Sequence, residues 1–337
     1  MGVVGVVVPA FNSERWIAAS LASLQSQTAT SWCCVVVDDG STDSTASIVE
    51  NIAALDGRIA LVRQPNTGVG AARNFGFRHL ADGVEEVLLL DSDDLLVPDA
   101  ITSLADRLAA RPDAVGVFGL AEYIDEAGNE ERPGVHPGLQ RARRTQRGLR
   151  FAALPAGEDS TFADIALYGP IWPSAVGLHR RAAIEAVGGF DPAVQLLSDW
   201  DLYLRMSRLG PFAMIDRQVA WYRRHGANLT KDAIANTVAQ ATVVHRAWHH
   251  ADNTPAQRRV IGRGQWLVRA DETLMLGRAV LGALRRGHLQ HAARASAAFL
   301  VNACTLTRVQ PPRPSRAGAA RLVSASSPDH GGGGDPL

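Results

Sequence analysis

Cysteine is scarce in this chain: Cys33, Cys34 and Cys304 are the only three in 337 residues. Their spacing matches no metal-ligand pattern and cannot build a disulfide framework. Cys33 and Cys34 fall inside an apolar run, where they serve as small core hydrophobes suited to a reducing compartment. Net charge is lacking too, because Lys+Arg 34 balance Asp+Glu 34. A protein that grips nucleic acid carries surplus basic charge, so nucleic acid is not an expected partner. No uncharged apolar stretch reaches membrane-spanning length. The best candidate, Thr273 to Leu306, is interrupted by Arg278, Arg285, Arg286, His288, His291 and Arg294. No basic segment precedes the first apolar run, so no secretory leader is expected. Val6 breaks the myristoylation pattern that Gly2 would open. The expectation is a cytoplasmic protein. The acids cluster before residue 135 and later charge is mostly arginine, which leaves a peripheral contact with the inner face of the plasma membrane as a secondary expectation.

What is present is strand–helix alternation. Val3 to Val8, Cys33 to Val37, Ile59 to Val62 and Val87 to Leu90 are short unbroken apolar runs. Such runs predict strands buried on both faces, whereas a one-sided sheet would alternate. Helical spacing lies between them, as in Trp16, Ile17, Leu21 and Leu24. The pattern predicts an α/β fold with a mostly parallel sheet flanked by helices. Pro98 to Ala110 reads as a further helix, Val115 to Tyr123 and Val219 to Tyr222 as strands, and Arg132 to Asp164 as an irregular surface excursion. After residue 230 only helical spacing remains, with Ile234, Val238, Ala241, His245 and Trp248 as a stripe. Three units are expected: a sheet domain over 1–230, a helical extension over 231–310, and a disordered Pro/Gly/Ser/Arg tail over 311–337.

The chemistry concentrates where strands end. Asp38-Asp39 closes one apolar run, and Asp91-Ser92-Asp93-Asp94 closes another. In a parallel sheet both acidic turns face one crevice beyond the carboxyl ends of the strands, where open α/β sheets bind ligands. Carboxylates packed so closely repel one another unless a cation or a proton offsets them. A nucleotide sugar suits such a place, with one carboxylate accepting from base or ribose and another holding a divalent metal on the diphosphate. Gly68 and Gly70 let a third loop approach closely, and Arg73 is positioned to face a ligand.

These motifs together resemble a family 2 inverting glycosyltransferase of the GT-A fold, a Rossmann-like mixed sheet flanked by helices. The matching residues are Val7-Val8-Pro9-Ala10-Phe11-Asn12-Ser13-Glu14, Val36-Val37-Asp38-Asp39-Gly40-Ser41 and Asn66-Thr67-Gly68-Val69-Gly70-Ala71-Ala72-Arg73-Asn74. Asp91-Ser92-Asp93-Asp94, Gly188-Gly189-Phe190-Asp191 and Ser198-Asp199-Trp200-Asp201 continue the match in family order to about residue 230. The resemblance implies that Pro9, Ala10, Asn12 and Glu14 border the nucleotide. It places Asp39 on the base and Asp91, with Ser92, near the ribose. Asp93 would bind Mg²⁺ or Mn²⁺ bridging the diphosphate, and His225 would approach the same metal. Asp199 takes the position of the catalytic base that deprotonates the acceptor hydroxyl. The implied partners are a nucleoside-diphosphate sugar donor and a glycan or lipid-linked acceptor in cell-surface polysaccharide or glycoconjugate synthesis. One departure stands out: Ser198 occupies the place where the family often has Glu, which keeps Asp201 as a competitor for the base. Trp172 and Trp200 read either as sugar-stacking rings or as packing.

Other readings fit less well. A haloacid-dehalogenase-like phosphohydrolase would use Asp91 and Asp93, but it wants Thr or Val where Leu95 stands. A dinucleotide-binding loop needs a third glycine where Gly68-Val69-Gly70 leads on to Arg73. A sugar nucleotidyltransferase wants a Gly-rich basic loop in place of Pro9-Ala10-Phe11-Asn12. A non-catalytic nucleotide-sugar-binding protein on the same fold also remains as an alternative.

Overall fold

The computed structural model describes residues 2–131, 133, 158–169, 171–228, 233–262 and most of 277–300. The irregular excursion from residue 132 is described only at 133 and from 158 onward, and the tail expected over 311–337 lies outside the described residues. Among the described residues nine strands form one sheet: β1 (Val4–Ala10), β2 (Trp32–Asp38), β3 (Ile59–Arg63), β4 (Glu86–Leu89), β5 (Leu95–Leu96), β6 (Gly116–Ile124), β7 (Glu130–Glu131), β8 (Gly177–Arg180) and β9 (Phe212–Arg223). Their order is β3-β2-β1-β4-β8-β6-β9-β5, with β7 on β6.

The half built from β1 to β4 is all parallel. Every residue of β1 is buried, as its unbroken apolar run requires. Helices α1 (Ile17–Gln25), α2 (Thr45–Ala53) and α3 (Val69–His79) connect these strands. Helix α3 lies hard against the sheet at Gly76, where a Cβ would come within 2.6 Å of Val7 and 2.8 Å of Val37. The other half is mixed. Strand β8 runs antiparallel to β4 and β6, β9 runs parallel to β6, and β5 runs antiparallel to β9. The sheet is therefore mixed as the GT-A resemblance implies, and the pairings expected to be mostly parallel are all parallel in its first half.

Helix α4 (Ala100–Ala109) covers β6 and β9, and α5 (Phe162–Tyr168), α6 (Arg181–Ala186) and α7 (Ser198–Met206) complete the layers. Helix α8 (Ala233–His249) then packs on α7, burying Val243 and Ala247 in the common core. The expected stripe is rotated from the observed one: Val238 is exposed. Arg208 and Arg246 fasten α8, through the Ala247 carbonyl and the Asp191 carboxylate.

A histidine sits in the core with no partner on either ring nitrogen among the described residues. It is His179 of β8, which is fully buried. A Cβ on Gly116 or Gly177 would come within 2.7 Å of the ring, so both glycines make room for it. Tyr203 and Phe212 flank it at 4.9 and 5.9 Å. Burial pushes its pKa down from 6.5 to about 3. The unfolded chain thus takes up a proton near pH 6.5 that the folded chain refuses until about pH 3. The stability this neutral ring allows is full above 6.5 and is lost as pH falls. Replacing it by a flexible apolar side chain, His179→Met, removes that dependence. In urea unfolding between pH 6 and 4, the wild type is expected to lose about 1.4 kcal/mol per pH unit relative to His179→Met. Parallel stability curves would refute the assignment.

Candidate active site

Three strand ends and two later loops enclose one cavity of about 630 Å³. Its floor comes from the carboxyl ends of β1, β2 and β4, the crevice expected from the parallel pairing. Pro9, Ala10, Asn12, Asp39, Arg73, Asp91, Ser92, Asp93, Asp199 and His225 all line it. Glu14 and Gly68, two further residues expected at the nucleotide, do not.

Local structure explains both exceptions. Asn12 adopts a left-handed backbone (φ 49), a conformation Asn tolerates better than most residues. Its N–H donates to Ser41 Oγ at 3.0 Å, and its Oδ1 accepts from the Thr42 N–H at 2.9 Å. The first loop is thereby tied to the second. Glu14 follows the same route, accepting from the Ser44 N–H at 2.9 Å, so its carboxylate braces the second loop and not the ligand space. Gly68 (φ 92) donates its N–H to Asp39 Oδ2 at 2.9 Å. The Thr67 N–H and Gln64 Nε2 donate to Asp39 Oδ1 at 2.9 and 2.7 Å. Asp39 is thus held in a cradle of donors, and Gly68 acts on the site through it.

The turn after β4 answers its own repulsion in three ways. Asp91 Oδ1 accepts from Arg73 Nη2 at 2.6 Å. Burial raises the Asp91 pKa, opposed by the Arg73 charge. Burial also works against Arg73, but the charges of Asp91 and Asp199 outweigh it and hold its pKa above the ordinary value. Asp93 Oδ2 meets His225 Nε2 at 2.8 Å. Asp94 is completely buried, and its Oδ1 accepts the Arg223 N–H at 3.0 Å. Burial first, then the neighbouring Asp93 and Asp91, push the Asp94 pKa far up, which disfavours its charged form.

Sheet pairing brings His225 to Asp93. Strand β5 begins right after the acidic turn and pairs with β9 at Leu95–Trp221 and Leu96–Ala220. Two residues beyond β9, His225 then lands on Asp93. Trp16 stacks on its ring at 3.9 Å, Asn228 Oδ1 accepts its backbone N–H at 2.7 Å, and Arg223 Nε donates to the Asp93 carbonyl at 2.9 Å. Among the described residues no three His, Cys, Asp or Glu side chains converge as a complete metal cage. Asp93 and His225 present one carboxylate oxygen and one imidazole nitrogen side by side. That donor set suits a divalent cation, Mn²⁺ better than Mg²⁺, whose other positions are filled from outside the protein.

Across the cavity stands Asp199 at the start of α7, where a carboxylate also suits the helix dipole. Its Oδ1 accepts from the Trp200 N–H at 2.8 Å, and its Oδ2 accepts from Ser174 Oγ at 3.2 Å. Ser174 in turn accepts from Arg73 Nη2 at 3.0 Å. One buried guanidinium therefore links Asp91 to Asp199 through a single hydroxyl. Asp201 lies elsewhere, buried, bonded to Arg205 Nε at 2.9 Å and outside the cavity lining. Trp200 donates from Nε1 to the Ile165 carbonyl at 2.7 Å and packs in the core. Trp172 does line the cavity, 4.5 Å from the Tyr222 ring.

Sequence reasoning passed over Ser174, Gln195, Trp16 as a partner of His225, and the Ser13–Ser92 hydroxyl pair at 2.8 Å. Single serines and glutamines carry no pattern. Trp16 was legible only as an apolar position on α1.

Residues 5–160 match the family described as Glycosyl transferase family 2. The chain is similar to a chondroitin synthase of Escherichia coli, with 29% identity over 67% of this chain and 29% of that protein. It is 28% identical to an uncharacterized glycosyltransferase of Nostoc sp. over 70% of this chain and 69% of the relative. A putative glycosyltransferase, EpsH, of Bacillus subtilis is 34% identical over 36% of this chain and 35% of its own length. The chain thus spans under a third of the first relative and about a third of EpsH. Among solved structures, S. aureus TarS 1–349 in complex with UDP-GlcNAc aligns with a TM-score of 0.60 at 18% identity, covering 93% of each chain. The mannosyltransferase PcManGT of Pyrobaculum calidifontis, in complex with GDP-Man and Mn²⁺, aligns with a TM-score of 0.57 at 19% identity, over 96% of this chain and 79% of that one. Such identities speak for the fold. The crevice at the strand ends thus sits on a GT-A fold, and the family match takes in the part of the chain that builds its floor.

Proposed function

We propose that the protein moves a sugar from a nucleoside-diphosphate sugar to an acceptor hydroxyl, with inversion at the anomeric carbon. The observation that carries this reading is Asp199 facing the Asp91–Asp93 turn within one cavity, tethered by Ser174 and Arg73. Asp39 and Asp91 receive the base and ribose. Asp93 and His225 would hold Mg²⁺ or Mn²⁺, which would supply Lewis-acid stabilisation of the departing diphosphate. Asp199 takes the proton of the acceptor O–H as that oxygen bonds to the anomeric carbon. The bond from carbon to diphosphate oxygen breaks in the same displacement, and its electron pair leaves with the nucleotide. A single displacement from the opposite side inverts the centre. Ser174 is a positioning residue, holding the Asp199 carboxylate toward the acceptor side.

A nucleotide-sugar donor is supported by the nucleotide sugars named with the structural neighbours. A glycan or lipid-linked acceptor, in cell-surface polysaccharide or glycoconjugate synthesis, is supported by the relative named for chondroitin synthesis. The free thiols Cys33 and Cys34 suit a cytoplasmic setting.

Thermal shift against a panel of nucleoside diphosphates and their sugars, with and without Mn²⁺, tests the donor site. A metal-dependent rise in melting temperature with one nucleotide is expected; binding without turnover would make the protein a non-catalytic binder. Asp93→Ala and Asp199→Asn should each lower transfer by about a thousandfold or more. They separate in binding: Asp93→Ala loses the metal-dependent shift and Asp199→Asn keeps it. Full activity in Asp199→Asn would refute the base. Ser174→Ala should lower kcat about tenfold while leaving donor KM unchanged, and Ser174→Thr should restore it. A rise in donor KM with unchanged kcat would place Ser174 in binding instead.

A further inference from the structure

Past the sheet domain the described residues contain a helical hairpin with a composition of its own. Residues 277–285 and 289–300 are helical where described, and the turn between them centres on Gly287 (φ 72). Phe299 lies against Gly277, so the two helices run back along each other and the turn is their free end. Ala292 and Ala295 are buried. The free end carries the opposite kind of surface. Leu281, Leu284 and Leu289 are 57%, 50% and 71% exposed, with exposed Arg285, Arg286 and His288 among them and Arg278 one turn below. An isolated exposed leucine needs no explanation; three around one turn make an apolar tip.

The charge around the tip names its partner. From Thr273 to Pro328 the sequence has eight arginines and no Asp, Glu or Lys, although the whole chain is neutral. Arginine without any acid is complementary to an anionic surface, and leucine at the tip is complementary to hydrocarbon. A protein partner would need an acidic rim around an apolar pocket, whereas an anionic bilayer offers both layers at the required depth. Among the described residues no helix is long and apolar enough to cross a membrane, so the contact is peripheral.

We propose that the hairpin at 277–300 docks the protein onto a bilayer containing anionic phospholipid, with Leu281, Leu284 and Leu289 entering the interface and Arg278, Arg285 and Arg286 meeting the headgroups. This surface is independent of the sugar transferred and of the assignment of Asp199.

Cosedimentation of the full chain with vesicles tests it. Vesicles of equal phosphatidylcholine and phosphatidylglycerol should bind at least about tenfold more tightly than phosphatidylcholine alone, and added salt should erase most of the difference. Leu281→Glu/Leu284→Glu/Leu289→Glu should abolish vesicle binding with the melting temperature unchanged, since all three side chains face solvent. Arg278→Gln/Arg285→Gln/Arg286→Gln should weaken binding to the mixed vesicles about a hundredfold. Equal binding to both vesicle types, or binding to neither, overturns the proposal. A dimer in solution that the Leu→Glu variant splits also overturns it, since a second copy would then cover the tip. The lipid and salt comparisons use the wild-type chain and decide the matter even if a variant fails to fold.

Discussion

Like-charge repulsion in the turn after β4 is the constraint on which the site depends. Three carboxylates within four residues cannot all be ionised and unaccompanied at the edge of an apolar sheet. Each has been given a different answer: a buried arginine for Asp91, a histidine for Asp93 and the Arg223 backbone N–H for Asp94. Each answer recruits another part of the chain. Arg73 comes from α3, His225 from beyond β9, and the Arg223 backbone from the end of β9 itself. The acidic turn is therefore a place where distant segments come together to supply hydrogen-bond partners to its carboxylates.

That recruitment makes the cavity electrically coherent. Arg73 spans the floor and reaches Asp199 through Ser174, so the carboxylates on the two sides of the cavity share one counter-charge. The Trp16 ring against His225 and the Arg223 side chain on the Asp93 carbonyl hold the other side in place. Such positioning lowers the reorganisation that charge developing in the cavity would otherwise demand.

The parts legible in the sequence are those where one strong local preference acts alone. Unbroken apolar runs marked β1, β2 and β4, because a strand buried on both faces admits little else. Acids at the ends of β2 and β4 marked the crevice for the same reason. Strand β9 was half hidden: Asp216, Arg217 and Gln218 interrupt its apolar pattern where it shifts register against β6. Strand β5, two residues long, carries no period at all. Glu14 looked like a ligand contact and instead braces a loop, since a carboxylate's choice among nearby N–H groups is settled only by the folded backbone. Asp199 was preferred to Asp201 on motif position alone. In the fold the two-residue step along α7 puts them on opposite faces of the helix, one toward the cavity and the other toward Arg205. Ser174 had no signal, because a lone hydroxyl gains meaning only from its neighbours.

The strand order carries a consequence for how the protein is made. Strand β9 lies between β6 and β5, both of which leave the ribosome long before it. Until β9 arrives, β5 has no partner in the sheet, and the acidic turn lacks both His225 and the N–H of Arg223. The parallel half can gather its core early, but the charged mouth must wait for a pairing between residues 95 and 221. Contacts so distant along the chain form slowly. Until that pairing is made, the strand order leaves the acidic turn an open edge of like charge beside the parallel half. Completion of one long strand converts that edge into a binding site.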